Sequence, residues 1–495
     1  MENYSEKSYK DKLEAIFTRF PSVQKVPFGD AYKPGLDHME KFAALLGNPQ
    51  EKYRTIHVAG TNGKGSVANM IASALSSAGL KVGLYTSPHI IDFRERARIL
   101  LPPQVGHAPA SIYPDRARSA ASRDLYPLSG DIAPDDARSA GSRRELPPGE
   151  PVEPFLVPEE YVFDFLCRYE AEMDELDLSF FEITTGLAFK WFADENVDVA
   201  VIEVGLGGRL DSTNIITPDL SIVTSIALDH CALLGDTLEA IASEKAGIFK
   251  PGVPALVGEY LPETRPVFEK KAAEVDSPLT FAEDAELSMA GLVPDILENM
   301  DLKGKYQEKN LRTVLAAIDI LVRNQFYIKL SDQVAVVEAI CHTASRAGFH
   351  GRWEMVRKDP MIIADLGHNP AALKENFAQL EVMMASGEYS SLIIIYAVMA
   401  DKDLDGIMPL MPEGATYVLT GLESKRALPV GELTRKMETF REEAGKSFKI
   451  VETGSVQEAI STALSLDKDR KPLIFIGGST YLLSEALHAI GARGF

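Results

Sequence analysis

The chain has 495 residues, of which 45% are hydrophobic, so it is long enough for two or three domains with sizeable cores. Its formal net charge of −21 disfavours nonspecific binding to nucleic acid or to an anionic membrane. The three cysteines form no C-x-x-C pair, which excludes a disulfide scaffold and a thiolate zinc ribbon. No run approaches the roughly 18 apolar residues that a membrane-spanning helix needs, and the amino terminus lacks a signal-peptide core. We therefore expect a cytoplasmic protein.

Short β-branched runs alternate with amphipathic stretches from Tyr53 onward, as in parallel strands joined by crossover helices. The predicted strands are Thr55–Ala59, Val82–Tyr85, Val197–Val204, Leu220–Ile226, Pro254–Val257, Met361–Ala364, Leu392–Ala397, Thr416–Leu419 and Leu473–Ile476. The runs VDVAVIEV and PLIFIGG are continuously apolar, which is typical of central strands buried on both faces. The predicted fold class is α/β, with ligands at the carboxyl ends of the strands.

A compositional break covers about residues 101–154, where Pro, Ser, Ala, Arg and Asp replace the periodic apolar residues. It contains a near repeat, PDRARSAASRDLYPLSG from Pro114 and PDDARSAGSRRELPPG from Pro134. Two polar copies cannot form a solenoid, which needs at least about three stacked repeats. The break therefore predicts a largely disordered inserted surface loop, with a helix resuming over Pro158–Glu172.

A second boundary is predicted at residues 348–356, around HGRWEMV. It follows the helical segment Ser331–Ala347 and precedes the strand at Met361–Ala364. The remaining residues, 357–495, again alternate strands and helices and are numerous enough for one compact domain. We therefore predict a first domain over 1–347, a hinge over 348–356 and a second domain over 357–495.

The most informative stretch is IHVAGTNGKGS, from Ile56 to Ser66, in which a predicted strand runs through a glycine-rich turn into a helix. Glycines let backbone N–H groups close on an anion, and the helix N-terminus adds partial positive charge. Lys64 can reach the terminal phosphates and Ser66 can ligate magnesium. The spacing departs from the commonest P-loop, because a glycine separates Lys64 from Ser66, and an ordinary glycine-rich turn is the alternative. We predict a nucleoside triphosphate site made of Gly60, Thr61, Asn62, Gly63, Lys64, Gly65 and Ser66.

Together with GTNGKGS, five further blocks carry a resemblance to the folylpolyglutamate synthase / dihydrofolate synthase family, within the Mur-ligase-type ATP-dependent amide ligases. The blocks are YTSPH (Tyr85–His89), SFFE (Ser179–Glu182), EVGLGGRLDSTN (Glu203–Asn214), SIALDH–EKAGIFK (Ser225–Lys250) and DLGHNP (Asp365–Pro370). The last block has Leu366-Gly367 where the family has Gly-Ala. Their order and spacing match over nearly the whole chain outside the insert.

The resemblance implies a P-loop ATPase domain with a mainly parallel sheet, followed by a smaller, Rossmann-like α/β glutamate-ligase domain. It also implies that ATP phosphorylates the carboxylate of dihydropteroate or a reduced folate, and that the amino group of L-glutamate then displaces phosphate. We expect a folylpolyglutamate synthase that is also a dihydrofolate synthase, acting as a monomer with ATP and one or two Mg²⁺ ions. The alternatives are a peptidoglycan-precursor amino-acid ligase and an ATPase-like switch module.

The resemblance assigns magnesium ligation to Ser66, Ser87, Glu203 and His230. Glu203 ends an apolar strand and offers the hard oxygen ligands that Mg²⁺ prefers, although it could instead cap a helix or pair with Arg209. An imidazole is an unusual ligand for Mg²⁺, so chemistry alone favours a phosphate hydrogen bond for His230. Ser87 could merely end a strand.

The candidate catalytic residues are Lys64, Lys245 and His368. Lys245 lies on a predicted helix over Leu238–Phe249, and the family's lysine in this Lys-Ala-Gly-Ile motif is carbamylated. A solvated lysine on a helix face is the alternative. His368 lies where the family's small domain meets the incoming glutamate.

The remaining assignments concern the pterin and the nucleotide. The resemblance places pterin contacts at Ser179, Phe180, Phe181, Glu182 and Leu210, since aromatic rings can stack on a pterin and a carboxylate can accept from its N–H groups. Both phenylalanines could instead be core residues. Further ATP contacts are assigned to Asn310, to Arg352 for a phosphate and to Asp365 for the ribose. These roles require the domains to close over ATP, which would also exclude water from the acyl phosphate.

Overall fold

The structure is a computed structural model that describes residues 4–20, 35–103, 154–467 and 470–493. The insert predicted at residues 101–154, with both copies of its near repeat, lies outside the described residues except for 101–103 and 154. Within these ranges, no helix is long and apolar enough to cross a membrane. The three cysteines all lie in described segments, and no disulfide joins any two of them.

The first domain contains an eight-stranded sheet. Its strands are β1 (Arg54–Ala59), β2 (Val82–Tyr85), β3 (Ala97–Leu100), β4 (Phe155–Leu156), β5 (Val199–Glu203), β6 (Leu220–Val223), β7 (Ala255–Val257) and β8 (Leu279–Phe281). They are ordered β4-β3-β2-β5-β1-β6-β7-β8. The six strands from β2 to β8 in this order are parallel, and β3 and β4 form an antiparallel edge. The carboxyl ends of the parallel strands therefore meet at one edge of the sheet, where ligands are expected.

Helices cover both faces of this sheet. They are α1 (Glu6–Arg19), α2 (Asp37–Leu45), α3 (Lys64–Ser77), α4 (Glu159–Arg168), α5 (Glu170–Glu175), α6 (Phe180–Asp194), α7 (Cys231–Leu234), α8 (Leu238–Ala246), α9 (Arg265–Glu274), α10 (Val293–Asn299), α11 (Gln307–Arg323), α12 (Gln333–Cys341) and α13 (Thr343–Ala347). On one face, Met70 of α3 belongs to the same core as Val58 of β1 and Leu315 of α11. The other face carries an aromatic core that includes Phe189 and Trp191 of α6. Helix α3 is thus held rigidly behind the loop at its N-terminus.

The second domain contains a six-stranded sheet. Its strands are β9 (Glu354–Lys358), β10 (Met361–Ala364), β11 (Ser391–Tyr396), β12 (Thr416–Thr420), β13 (Lys449–Thr453) and β14 (Pro472–Gly477), and its helices are α14 (Pro370–Ala385), α15 (Leu404–Ile407), α16 (Val430–Glu443), α17 (Val456–Ser465) and α18 (Thr480–Arg493). The strands are ordered β13-β12-β11-β14-β10-β9, and all pairs are parallel except β9 with β10. Separate apolar cores lie on its two faces.

All nine predicted strands are present, with ends shifted by at most three residues. The two continuously apolar runs are central, as predicted: β5 lies between β2 and β1, and β14 lies between β11 and β10. Five further strands, β3, β4, β8, β9 and β13, were not predicted. Strands β3, β4 and β8 are only two to four residues long, whereas EMVRK of β9 and KIVET of β13 are edge strands whose polar residues hide the apolar pattern.

Three boundaries need correction. Strand β9 begins at Glu354, inside the hinge predicted at 348–356, because it pairs antiparallel with β10; the connection between the sheets is therefore 348–353. The predicted helix at Ser331–Ala347 is two helices, α12 and α13, separated at His342, whose φ of −110° and ψ of 29° are not helical. The helix predicted over Leu238–Phe249 ends at Ala246. The helix expected after the insert is present as α4 and α5.

Candidate active site

The glycine-rich loop between β1 and α3 has the geometry of an anion cradle. Gly60 and Gly63 have φ values of 150° and 87°, and α3 begins directly after Gly63. A Cβ at Gly60 would lie 1.9 Å from Thr224 Oγ1, and one at Gly63 would lie 2.3 Å from Asn310 Oδ1. Both positions therefore require glycine, and the backbone N–H groups of the loop stay at the helix N-terminus, where an anion is favoured.

The loop is also held by its neighbours. The Thr61 N–H donates to the Ser225 carbonyl at 2.8 Å, and the Thr224 hydroxyl donates to the Asn62 carbonyl at 2.6 Å. The Lys64 ammonium folds back and donates to the carbonyls of Gly60 (3.1 Å) and Thr61 (3.2 Å). The loop is thus preformed, and Lys64 can exchange these two neutral acceptors for phosphate oxygens.

Two cavities meet at this loop. The first, of about 270 Å³, is lined by twelve of the predicted site residues: Thr61, Asn62, Gly63, Lys64, Gly65, Ser66, Ser87, Glu203, Asn310, Arg352, Asp365 and His368. The second, of about 200 Å³, is lined by Gly60, His230 and Lys245 among the predicted residues, and it shares Thr61, Lys64, Ser87 and His368 with the first. The two cavities are therefore neighbours, and the Lys64 side chain borders both of them.

Glu203 lies at the carboxyl end of β5, as its position in the sequence predicts. It is only 3% exposed, and its Oε2 accepts a hydrogen bond from the Ser87 backbone N–H at 3.1 Å. Burial raises the pKa of Glu203 above its ordinary value, while the positive charges of Lys64 and Arg352 oppose that rise. The alternative pairing with Arg209 is not formed, because Arg209 pairs with Glu244 at 2.8 Å.

The donor groups around the loop fit a magnesium ion that binds together with a nucleotide. Among the described residues, no cluster of three or more His, Cys, Asp or Glu side chains could hold a metal alone. Mg²⁺ is usually bound through one or two carboxylates plus substrate phosphates and water, and the first cavity offers one carboxylate, Glu203, and two hydroxyls, Ser66 and Ser87. Ser66 is fully buried, and its Oγ accepts a hydrogen bond from Gln307 Nε2 at 3.1 Å.

Lys245 and His230 lie together in the second cavity. Burial lowers the pKa of Lys245, which is 4% exposed, to about 7, and the charge of Lys64 adds to that effect. A large fraction of this amine is therefore uncharged near neutral pH. Burial also lowers the pKa of His230, to about 4, so its imidazole is neutral and can accept a hydrogen bond or bind a cation.

Asp365 is already engaged by four donors. Its Oδ2 accepts from the Tyr306 hydroxyl (2.6 Å) and the Trp353 N–H (2.8 Å), and its Oδ1 accepts from the Gly367 N–H and Asn376 Nδ2, both at 2.7 Å. The carboxylate therefore links the start of α11, the connection between the sheets and α14 through hydrogen bonds. Its assignment to the ribose stays a prediction, and a ribose hydroxyl would have to share these oxygens.

Arg352 lies over the phosphate loop. Its guanidinium carbon is 5.2 Å from the centroid of the Phe349 ring, and a Cβ at Gly65 would lie 3.4 Å from its Nη2. The positively charged guanidinium of Arg352 therefore faces the backbone at the N-terminus of α3, where the phosphates of a nucleotide would bind.

Comparison with known proteins decides the family. A family model described as "Mur ligase, glutamate ligase domain" matches residues 351–480. The folylpolyglutamate synthase of Lacticaseibacillus casei is 31% identical over 472 residues, which cover 90% of this chain and 93% of that protein. The dihydrofolate synthase/folylpolyglutamate synthase of Mycobacterium tuberculosis is 30% identical over 468 residues, covering 88% and 83%. The chain belongs to the folylpolyglutamate synthase / dihydrofolate synthase family.

A solved structure supports the same fold. The bifunctional folylpolyglutamate synthase/dihydrofolate synthase of Yersinia pestis, complexed with AMPPNP and a Mn ion, aligns with a TM-score of 0.68 over 94% of this chain and 95% of that chain, at 24% identity. The family, the two-domain α/β fold class and the ligase class predicted from the sequence are therefore confirmed. The peptidoglycan-precursor ligase alternative is less supported, because both relatives are named as folate enzymes.

The family's pterin-contact block has a structural role here. Ser179 and Glu182 form a reciprocal capping box at the start of α6: the Ser179 hydroxyl accepts from the Glu182 N–H at 3.2 Å, and the Glu182 carboxylate accepts from the Ser179 N–H at 2.7 Å. Phe180 is 3% exposed and stacks on Phe17, with ring centroids 5.0 Å apart, whereas Phe181 is only partly buried. None of these four residues, nor Leu210, lines either of the two cavities. Their contact with a pterin stays a prediction.

Sequence reasoning missed several polar residues of the second cavity. They are Asp229, Asp401, Lys402, Arg426, Ser479 and Tyr481. Asp229 directly precedes the predicted ligand His230, while Lys402 and Ser479 follow the predicted strands β11 and β14. The rule that ligands bind beyond the carboxyl ends of parallel strands could have pointed to the last two.

Proposed function

We propose that the chain is an ATP-dependent ligase that joins L-glutamate to the carboxylate of dihydropteroate or of a reduced folate. The observation that carries this proposal is that two neighbouring cavities share Lys64 in their linings. One cavity contains a preformed phosphate loop, and the other contains buried basic residues contributed by both domains. An acyl phosphate formed in the first cavity would therefore lie close to an amine bound in the second cavity.

In the first step, an oxygen of the acceptor carboxylate attacks the γ-phosphorus of ATP. A carboxylate O–P bond forms, the bond to the bridging oxygen breaks, and ADP leaves. Lys64 and Arg352 neutralise the charge that develops on the phosphoryl oxygens, so the protein contributes positioning and electrostatics without a covalent nucleophile. A bound divalent cation would screen the phosphate charges, and Glu203, Ser66 and Ser87 would hold it, in keeping with the Mn ion named for the Yersinia pestis relative.

In the second step, the free amine of glutamate attacks the acyl carbon. A C–N bond forms, the C–O bond to the phosphate breaks, and inorganic phosphate and one proton are released. His368 borders both cavities, which supports a role for this residue in the second step. Its Nδ1 lies 2.9 Å from the Leu366 carbonyl and its Nε2 lies 3.5 Å from Asp229 Oδ2, and these two contacts orient the ring between the cavities.

Lys245 is proposed to be carbamylated in the active enzyme. The neutral amine adds to CO₂, a C–N bond forms and one proton is released, which converts an uncharged buried group into an anion. Two observations support this proposal: the side chain is almost fully buried, and its pKa is lowered to about 7, so the reactive uncharged amine is abundant near neutral pH. The resulting carboxylate, with His230, would supply oxygen and nitrogen donors for a second cation in the second cavity.

We also propose that the enzyme acts as a cytoplasmic monomer on small molecules, without nucleic-acid or membrane partners. The net charge of −21 supports this proposal, because such a protein repels nucleic acid and anionic lipid. The pterin is proposed to contact Ser179, Phe180, Phe181, Glu182 and Leu210, of which Phe181 and Leu210 keep part of their surface exposed.

The test is ADP release by the purified protein with Mg-ATP and L-glutamate, comparing dihydropteroate, tetrahydrofolate, a muramoyl nucleotide and no acceptor. Stimulation by both pterins is expected and would show a bifunctional enzyme. Stimulation by one pterin would assign the protein to that step alone. The proposal is wrong if neither pterin stimulates turnover, and turnover with the muramoyl nucleotide would then identify a peptidoglycan-precursor ligase. The Lys64→Met variant provides the background rate.

A further inference from the structure

The Asp229 carboxylate of the first domain contacts three polar side chains of the second domain. Asp229 Oδ1 lies 2.7 Å from Lys402 Nζ, and Asp229 Oδ2 accepts from Asn369 Nδ2 at 3.2 Å and lies 3.5 Å from His368 Nε2. The side chains of Asp229 and Lys402 are 11% and 10% exposed. These contacts are therefore largely shielded from water, unlike the exposed ion pairs elsewhere on the surface.

A second link joins the same segment to the phosphate loop. Asn369 Nδ2 donates to Asn62 Oδ1 at 3.0 Å, and Asn62 Nδ2 donates to Asn369 Oδ1 at 3.3 Å. Asn369 is also the N-cap of α14, where its Oδ1 accepts from the Ala372 N–H at 2.9 Å. The position of Asn62 in the loop is thus coupled directly to a rigid helix of the second domain.

The charge balance around Asp229 favours the closed arrangement of the domains. Besides Lys402, the second cavity is lined by the positively charged side chains of Lys64 and Arg426, and Arg426 pairs with Asp401 at 3.0 Å. Without the Asp229 carboxylate, Lys402 would remain buried among like charges. Truncating one partner of a buried, hydrogen-bonded ion pair across an interface is costly for this reason.

We propose that Asp229 is a positioning residue: through Lys402 and Asn369 it latches the second domain onto the phosphate loop, so that the amine meets the acyl phosphate before water does. This inference rests on the proposed function, because it concerns the second step of that reaction. The phosphate loop is also held by contacts within the first domain, so ATP binding does not require the latch. Its loss should therefore affect amide formation far more than ATP binding.

The experiment compares wild type with Asp229→Asn, Lys402→Gln and the double variant, measuring ADP released and glutamate joined with whichever pterin the wild type uses. We expect about one ADP per amide for wild type. For Asp229→Asn we expect several ADP per amide, an amide-forming kcat lowered by about 30-fold or more, and a KM for ATP within about threefold of wild type. The double variant should be no worse than the more damaged single variant, because the two residues act through one contact. Lys402→Arg keeps the charge and should retain coupling better than Lys402→Gln.

The control is Asp219→Asn, in the first domain. Asp219 accepts from the Tyr327 hydroxyl at 2.6 Å and from Arg54 Nη1 at 2.8 Å, so this variant also loses a partly buried, paired carboxylate, far from the two cavities. It should lower Tm without changing the ratio of ADP to amide. If Asp229→Asn also lowers Tm without changing the ratio of ADP to amide, Asp229 has only a structural role and the latch proposal is wrong.

Small-angle scattering with a nonhydrolysable ATP analogue supplies a readout that needs no acceptor. Asp229→Asn should give a larger radius of gyration than wild type and Asp219→Asn, and equal values would refute the latch. If Asp229→Asn does not fold, the Lys402 variants test the same contact from the other domain. A wild type that joins glutamate to neither pterin, but closes normally in the scattering experiment, would reject the proposed function and leave the latch standing.

Discussion

Replacing Lys245 with methionine should stabilise the unligated protein at low pH while abolishing ligation at every pH. The Lys245 side chain is 4% exposed on α8, and burial together with the charge of Lys64 lowers its pKa from 10.5 to about 7. In the unfolded chain the amine is solvated and keeps its ordinary pKa. Methionine fills a similar volume without a charge, so it removes the electrostatic cost that the folded protein bears at this position.

The sign of the pH dependence follows from proton binding. Between about pH 7 and pH 10.5 the unfolded state holds a proton on Lys245 that the folded state lacks, so this group makes stability rise with pH in that window. Below pH 7 both states are protonated, and the full cost is present. The two pKa values correspond to at most about 5 kcal/mol. Relaxation and water entry reduce such penalties, so we expect Lys245→Met to gain about 1–3 kcal/mol at pH 6, or roughly 2–10 °C in Tm.

The assay is thermal unfolding in CO₂-free buffer at pH 6, 7.5 and 9, with Lys10→Met as the control. The Lys10 side chain is 67% exposed, so that variant should follow the pH profile of wild type. The advantage of Lys245→Met should shrink as the pH rises. Adding bicarbonate at pH 7.5 should raise Tm for wild type and not for Lys245→Met, as carbamylation requires. Parallel pH profiles for wild type and Lys245→Met would refute the reasoning.

Three further predictions concern the phosphate loop, the cap of α6 and the insert. Gly63→Ala should lower ATP affinity by at least about tenfold, because the Cβ would lie 2.3 Å from Asn310 Oδ1 at a φ of 87°; an unchanged affinity measured by calorimetry would contradict the rigid cradle. Ser179→Ala should cost about 1 kcal/mol of stability through the lost cap of α6, and a KM for the pterin within twofold of wild type would reject the proposed pterin contact at that residue. Replacing Val105–Pro148 with a short Gly/Ser linker should leave ATP turnover nearly intact, whereas a loss of more than about tenfold in kcat/KM by a folded variant would show that the insert is functional.

The sequence was sufficient to predict features that depend on local pattern. The loop at Gly60–Ser66 and the strand-end position of Glu203 follow from residue spacing and apolar runs, and Thr61–Ser66 and Glu203 line the first cavity. The role of Asp365 could not be predicted, because its four donors come from Tyr306, Trp353, Gly367 and Asn376, up to 59 residues away in sequence. Similarly, Asp229 and Lys402 are 173 residues apart, and no local pattern pairs them.

The DLGHNP segment, Asp365–Pro370, contains residues that fix the local structure and one residue, His368, that borders both cavities. At its start, Asp365 is fixed by donors from α11, the connection between the sheets and α14. At its end, Asn369 caps α14 and contacts both Asn62 and Asp229 of the first domain. Between these anchors, His368 borders both cavities. Asp365, which the motif comparison assigned to the ribose, and Asn369, which it did not assign, therefore hold the backbone in place, and the proposed catalytic role falls to the histidine between them. Because both anchors depend on contacts between the domains, the position of the histidine depends on how the domains are docked.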